Sequence, residues 1–154
     1  MRIAVGSDHA GYELKELLAA HLADAGHEVE DLGTDSAEIS VDYPDFGAAV
    51  GAVVAAGRAE LGVCTCGTGM GIAMAANKIP GIRAAVVHDV TTARLAREHN
   101  DANVVCMGGR TTGTQTALDA IDAFLATSFE AGRHLRRIDE LARLDSEERA
   151  PIRP

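Results

Sequence analysis

The chain has 154 residues and a mass of 16.0 kDa, the length of one ordinary domain able to bury a core. Hydrophobic residues make up 47% of it and aromatics only 3%, so that core is built from Ala, Val, Leu and Ile, while a formal net charge of −9 argues against nucleic acid or an anionic membrane as the main partner. Three cysteines, an odd number, with no secretory leader and no apolar run near the roughly 20 residues of a membrane span, fit reduced thiols in a cytoplasmic protein.

Strand and helix patterns alternate from the start. RIAVG (2–6) reads as a buried strand, and GYELKELLAAHLADAG follows with Leu14, Leu17, Leu18 and Leu22 on one helical stripe and Gly26 as its stop. HEVEDLG is a second strand, and the polar loop TDSAEISVDYPDF leads into an alanine-rich helix around 47–56. LGVCT, IRAAVVH and NVVCMGG are the next strands; TQTALDAIDAFLAT and GRHLRRIDEL close the pattern as helices. The expectation is an α/β fold, a single-domain Rossmann-like three-layer α/β/α sandwich with a parallel sheet of about five strands. It covers residues 1–145, and SEERAPIRP (146–154) is a charged, proline-bearing tail or an arm over a partner subunit.

Open sheets of this kind bind ligands at the carboxyl ends of their strands. That rule gathers Asp8 and His9 after the first strand, Cys66 to Gly71 after the third, His88 and Asp89 after the fourth, and Gly108 to Arg110 after the fifth. In CGTGMG, the glycines Gly67, Gly69 and Gly71 free successive N–H groups to close on an anion, and the start of a helix adds favourable dipole. The same donors stabilise a thiolate at Cys66. Such turns are common in α/β folds and cysteine is often simply buried, so the loop alone leaves ligand binding, catalysis and packing all open. No GK[ST] follows, so it is not a nucleotide P-loop. Cys64 and Cys106 read as core residues. The C-x-C pair has no second pair and no nearby histidine, so no metal site is expected.

The one dense basic cluster is GRHLRRIDEL, where Arg133 and Arg137 share a helix face with His134 and Arg136 beside them. A forked guanidinium pair matches phosphate oxygens, and a solvated helix face paired with Glu130, Asp139 and Glu140 is the plainer reading. Arg110 is a separate candidate at the sheet edge. His99 and Asn100 fit ordinary helix C-terminal signals, and Asp8 could equally serve as a cap.

Five ordered segments, VGSDHAGYELK, DYPDF, CGTGMGIAMAANKIPGIRAA, AREHNDANVVCMGGR and GRHLRRI, together resemble the ribose-5-phosphate isomerase B and galactose-6-phosphate isomerase family. The resemblance runs from Arg2 to about Leu144. It implies interconversion of an aldose phosphate and a ketose phosphate through an enediolate, without metal or cofactor. Cys66 matches the base, and Thr68 with the N–H groups of Gly67, Gly69, Met70 and Gly71 matches the loop that stabilises the enediolate oxygen. His99, with Asp8 nearby, matches the ring-opening group. Tyr43 and Asn100 match sugar contacts, and His9, Arg110, Arg133, His134 and Arg137 match the phosphate end. One branch of the family uses a glutamate in the loop where this chain has Ile72, so Cys66 is the only base the loop offers. The resemblance also implies a homodimer or dimer of dimers with shared sites.

Two further functions are compatible with these residues. One keeps the chemistry and changes the substrate to a six-carbon aldose 6-phosphate or a four-carbon sugar phosphate; a tetrose phosphorylated on O4 cannot close a furanose ring and needs no ring-opening group. The other is a non-catalytic phosphate-binding module, against which stand the absence of a Walker lysine and of aromatics to stack a base.

Overall fold

A computed structural model describes residues 1–145; the tail expected at 146–154 lies outside the described residues. The strands are β1 (Arg2–Ser7), β2 (Glu28–Asp31), β3 (Leu61–Cys66), β4 (Ala84–Val86) and β5 (Val104–Gly108). The helices are α1 (Tyr12–Asp24), α2 (Tyr43–Ala55), α3 (Met70–Ala76), α4 (Val90–Asn100), α5 (Thr114–Ala126) and α6 (Leu135–Asp145), with a 3-10 turn at Gly132–His134. All five strands are parallel in the order β2-β1-β3-β5-β4, which is the expected sandwich.

Strand alternation assigns the two cores. Ile3, Val5, Val63, Val105 and Met107 face α1, α4 and α5 with Leu14, Leu18, Leu22, Ile121 and Phe124. Ala4, Cys64, Cys66, Val104 and Cys106 face α2 and α3 with Val50, Val53, Val54, Ile72 and Ala76. Cys64 and Cys106 are directly paired neighbours and fully buried, as the composition led us to expect. Their mutual hydrogen bond, then burial, push the Cys106 thiol well above the usual range, so it stays protonated and unreactive.

Two elements differ from the sequence pattern. The helix expected at 47–56 starts at Tyr43, because Asp42 is extended at the N-cap and Pro44 fits the first turn. The strand expected across IRAAVVH shrinks to Ala84–Val86, since β4 lies at the sheet edge and pairs on one side only. Among the described residues no helix is long and apolar enough to cross a membrane.

Between β1 and β3 the chain reverses its direction of travel across the sheet. Their carboxyl ends therefore flank an open crevice.

Candidate active site

The crevice begins with the turn after β1. Asp8, 6% exposed, accepts the Gly11 N–H on Oδ1 at 3.0 Å, and its own N–H donates to Thr65 O on β3 at 3.3 Å. His9 Nδ1 accepts the Val41 N–H at 3.2 Å, so the neutral ring carries its proton on Nε2. The loop that supplies Val41 and leads to Tyr43 is tied down from below. Lys15 is 2% exposed and donates from Nζ to Asp31 Oδ2 at 2.5 Å; Asp31 Oδ1 accepts the Gly33 N–H at 2.9 Å, and Gly33 O accepts the Ser7 N–H at 2.6 Å. Burial alone would lower the Lys15 pKa, but its bonds to Asp31 and Glu16 outweigh burial and hold it above the usual lysine range. Periodicity gave no hint of this lysine, which sits on the leucine stripe of α1.

Cys66 ends β3 and is 4% exposed. Its Sγ accepts the Gly69 N–H at 3.1 Å. Gly69 makes that bond from φ +78, a conformation glycine adopts freely, and a Cβ there would stand 2.9 Å from the Met107 carbonyl carbon. Because α3 has only 7 residues, the donor at the sulfur is this single N–H rather than the dipole of a long helix. A Cβ at Gly71 would meet the Tyr43 ring at 2.7 Å, so the glycine gives that ring its place. On the far side, Gly109 N–H donates to Cys66 O at 2.8 Å and Arg110 N–H to Gly67 O at 3.0 Å. Ile72 is fully buried beneath the loop.

These loops enclose a cleft of about 260 Å³ lined by Asp8, His9, Ala10, Tyr43, Cys66, Gly67, Thr68, Gly71 and Arg110. Gly69 is bonded to the sulfur and Met70, half exposed, begins α3 at the rim. Of the lining residues the sequence reading missed only Ala10, which has no polar group to signal it. His88 and Asp89, which the strand-end rule placed here, do not line the cleft; Asp89 caps α4, accepting the Thr92 N–H at 2.7 Å, and that bond lowers its pKa. The cleft holds a sulfur with a backbone donor at one side and an imidazole and a guanidinium among its other walls. Proton transfer on an anionic polyol is what such a set can do.

The remaining predicted residues form a second group elsewhere. α4 starts beyond the carboxyl end of β4 and runs back, and its 11 residues rise about 16 Å, which carries His99 and Asn100 to the amino edge of the sheet. There the His99 and His134 rings stack at 4.4 Å with 13° between their planes. Arg133 and His134 lie in the 3-10 turn rather than on the last helix, because α6 starts only at Leu135; the spacing of four still lets Arg137 Nη1 donate to Arg133 O at 2.8 Å. Within one chain His99 is therefore not beside Asp8, and the nearness that the resemblance implies, with sites shared between subunits, calls for a second copy.

His99, Glu130 and His134 bring ligand-type atoms within 4.8 Å of one another. The two rings lie in nearly parallel planes, so no single ion can lie in the plane of both lone pairs, and Arg133 Nε already donates to His134 Nε2 at 3.3 Å. Burial first, then His99 and Arg133, push the His134 pKa down. The unfolded chain takes up this proton first as pH falls through about 6.5, so His134 costs stability in that window and nothing above it. In an NMR titration its ring should reach half-protonation below the ordinary histidine midpoint; a midpoint at or above it would refute the stacked, buried environment.

A larger cavity of about 420 Å³ lies between α6 and the start of β4, lined by Arg83, Asn100, Leu141 and Leu144 among others. It holds none of the cleft residues. Exposed apolar side chains flank both regions: Met70 and Met74 on α3, and Leu135, Leu141 and Leu144 on α6.

Comparison with known proteins agrees with this fold. The family model described as Ribose/Galactose Isomerase matches residues 3–141. Ribose-5-phosphate isomerase B of Escherichia coli K12 is 43% identical, over 94% of this chain and 96% of its own length; that of Mycolicibacterium paratuberculosis is 44% identical over 100% and 98%. Among solved structures, ribose-5-phosphate isomerase B of Clostridium thermocellum superposes with a TM-score of 0.92 at 48% identity, covering 94% of this chain and 97% of its own. The Mycoplasma genitalium enzyme, solved with bound ribulose 5-phosphate, has a TM-score of 0.90 at 41% identity, covering 95% and 97%.

Proposed function

The chain belongs to the ribose/galactose isomerase family, and from that premise we infer that it interconverts ribose 5-phosphate and ribulose 5-phosphate, an aldose–ketose isomerisation through an enediolate. The observation that carries this reading is the cleft in which Cys66 Sγ meets the Gly69 N–H, in a fold shared with a relative that binds ribulose 5-phosphate. The Cys66 thiolate takes the proton from C2 of the open-chain aldose and delivers it to C1. Thr68 and the N–H groups of Gly67 to Gly71 steady the enediolate oxygen, Tyr43 contacts the sugar, and His9 and Arg110 take the phosphate end. The carbon-bound proton moves from C2 to C1 and the hydroxyl proton from O2 to O1 within one molecule, with no electrons passed to an outside acceptor, so the reaction calls on no cofactor. Parallel assays with ribose 5-phosphate, a hexose 6-phosphate and a tetrose 4-phosphate test the assignment; a larger kcat/KM for either of the others would replace the pentose.

Completion of the site by a second copy is part of the same proposal. The one imidazole of the cleft, His9, is taken by the phosphate end, while His99, Arg133, His134 and Arg137 stand outside the cleft at the opposite edge, where Asn100 lines the larger cavity. The exposed Met70 and Met74 beside the cleft, and the apolar side chains on α6, supply surface for a homodimer. In it, the ring-opening His99 of one copy meets Asp8 and Cys66 of the other. Mixing Cys66→Ala and His99→Asn proteins under subunit exchange should then restore about a quarter of wild-type activity, because half the dimers are mixed and one of their two sites is intact. Activity no higher than that of the separate variants would exclude shared sites. A cytoplasmic enzyme whose catalytic unit is residues 1–145 fits the three free cysteines.

A further inference from the structure

The end of α4 adopts a conformation that its own sequence disfavours. Asp101, directly after His99 and Asn100, has φ 43 and ψ 46, the left-handed turn that usually falls to glycine at a helix C-terminus. Two arginines hold it there. Arg97 Nη1 donates to Asp101 Oδ1 at 2.9 Å and to Ala102 O at 2.6 Å. Arg83 Nη2 donates to Asp101 Oδ2 at 3.0 Å and to Asp101 O at 2.8 Å, and Arg83 Nε reaches Asn100 O at 3.0 Å.

Each arginine is anchored in turn. The Arg97 guanidinium lies 5.6 Å from the ring centroid of Phe124, itself 1% exposed, and the Arg83 N–H donates to Asn103 Oδ1 at 2.8 Å. The last carbonyls of a helix ordinarily have no intrahelical partner and the final turn frays. Here Asn100 O, with Asp101 O and Ala102 O just beyond the helix, accepts from the two arginine side chains, while Arg97 O and Glu98 O accept the Asp101 and Glu130 N–H groups. The turn that carries His99 and Asn100 is consequently held from both sides.

We propose that Asp101, pinned by Arg83 and Arg97, is the positioning residue that aims His99 and Asn100 at the sugar ring. The proposal rests on the isomerase reading above and on His99 as the ring-opening group. Ring opening needs the imidazole within hydrogen-bond reach of the anomeric hydroxyl or ring oxygen, and a displacement of about 1 Å is enough to cost such a step up to a hundredfold. A glycine would satisfy the turn with less strain but would remove both carboxylate bonds, leaving the arginines only their bonds to backbone carbonyls.

The experiment separates ring opening from enediolate chemistry. Ribulose 5-phosphate has its O5 esterified and is acyclic, so exchange of its C1 hydrogen with heavy water requires Cys66 and no ring-opening group. Asp101→Gly and Arg83→Gln should lower kcat/KM for ribose 5-phosphate by about tenfold or more while this exchange stays within about threefold of wild type. Asp101→Gly should also keep its melting temperature, since glycine accepts the turn. Parallel loss in both assays, or a loss under about threefold in the first, would overturn the proposal. His99→Asn, run alongside, tells the two failures apart. If it too loses both activities equally, the ring-opening assignment falls and this proposal with it; if it is selective and the other variants are not, only the proposal on Asp101 falls.

Discussion

Cys66→Ala should lower turnover of ribose 5-phosphate by roughly a thousandfold, within the 10²–10⁴ that a positioned base contributes, while leaving sugar-phosphate affinity nearly unchanged. The sulfur is the group in the cleft placed to shuttle a proton beside a backbone donor, and the groups assigned to the phosphate are untouched by its removal. Exchange of the C1 hydrogen of ribulose 5-phosphate should vanish with turnover, since both need the same base. Cys64→Ala is the matched control: it removes an equally buried sulfur from the same face of β3, two residues from the cleft, and should have a mild effect on activity. Calorimetric binding and initial rates on both variants check the expectation. Turnover above about a tenth of wild type would place the loss below about 1.4 kcal/mol and oblige another group to be the base.

Gly11→Ala should cripple both stability and activity. Gly11 caps the start of α1 against the end of β3, where its carbonyl accepts the Thr65 hydroxyl at 2.8 Å and its N–H is bonded to Asp8. A Cβ at Gly11 would overlap the Thr65 carbonyl group and lie 2.6 Å from the Cys66 nitrogen, all of it backbone that cannot rotate away. The α1 terminus must retreat, and it takes the Asp8 turn away from Cys66. Overpacking of this kind costs about 1–3 kcal/mol or more, and each kcal/mol lowers the melting temperature by roughly 2–4 °C at this chain length. Thermal melts and initial rates should fall together. An unchanged melting temperature with wild-type turnover would mean that the two backbones are not in contact.

Much of this protein is decided locally and could be read in its residues. The period-2 and period-3.6 patterns determine the alternation of strand and helix, because a side chain's direction depends only on the backbone around it. The glycines after β3 likewise mark the Cys66 loop, since the φ of +78 at Gly69 and the close approach of Tyr43 to Gly71 exclude side chains there. Leu14, Leu18 and Leu22 face inward as their spacing requires. The burial of Lys15 on that same stripe has no local cause. It depends on Asp31, 16 residues away on β2, to neutralise the charge.

The direction of the crossover helices decided the division of the site residues. His99 and Arg133 look like companions of Cys66 when motifs are read in order, yet a crossover helix between parallel strands starts at the carboxyl edge and ends at the amino edge. A residue in the last turn of α4 is thus carried away from its own chain's cleft, and that signal was available from the βαβ pattern. The left-handed turn at Asp101 was not available, because the arginines that hold it come from the residue before β4 and from α4 itself, and their meeting depends on how strand and helix pack. Residue identity determined which chemistry the chain can perform. The direction of the elements, set by sheet topology and packing, determined where each group stands to perform it.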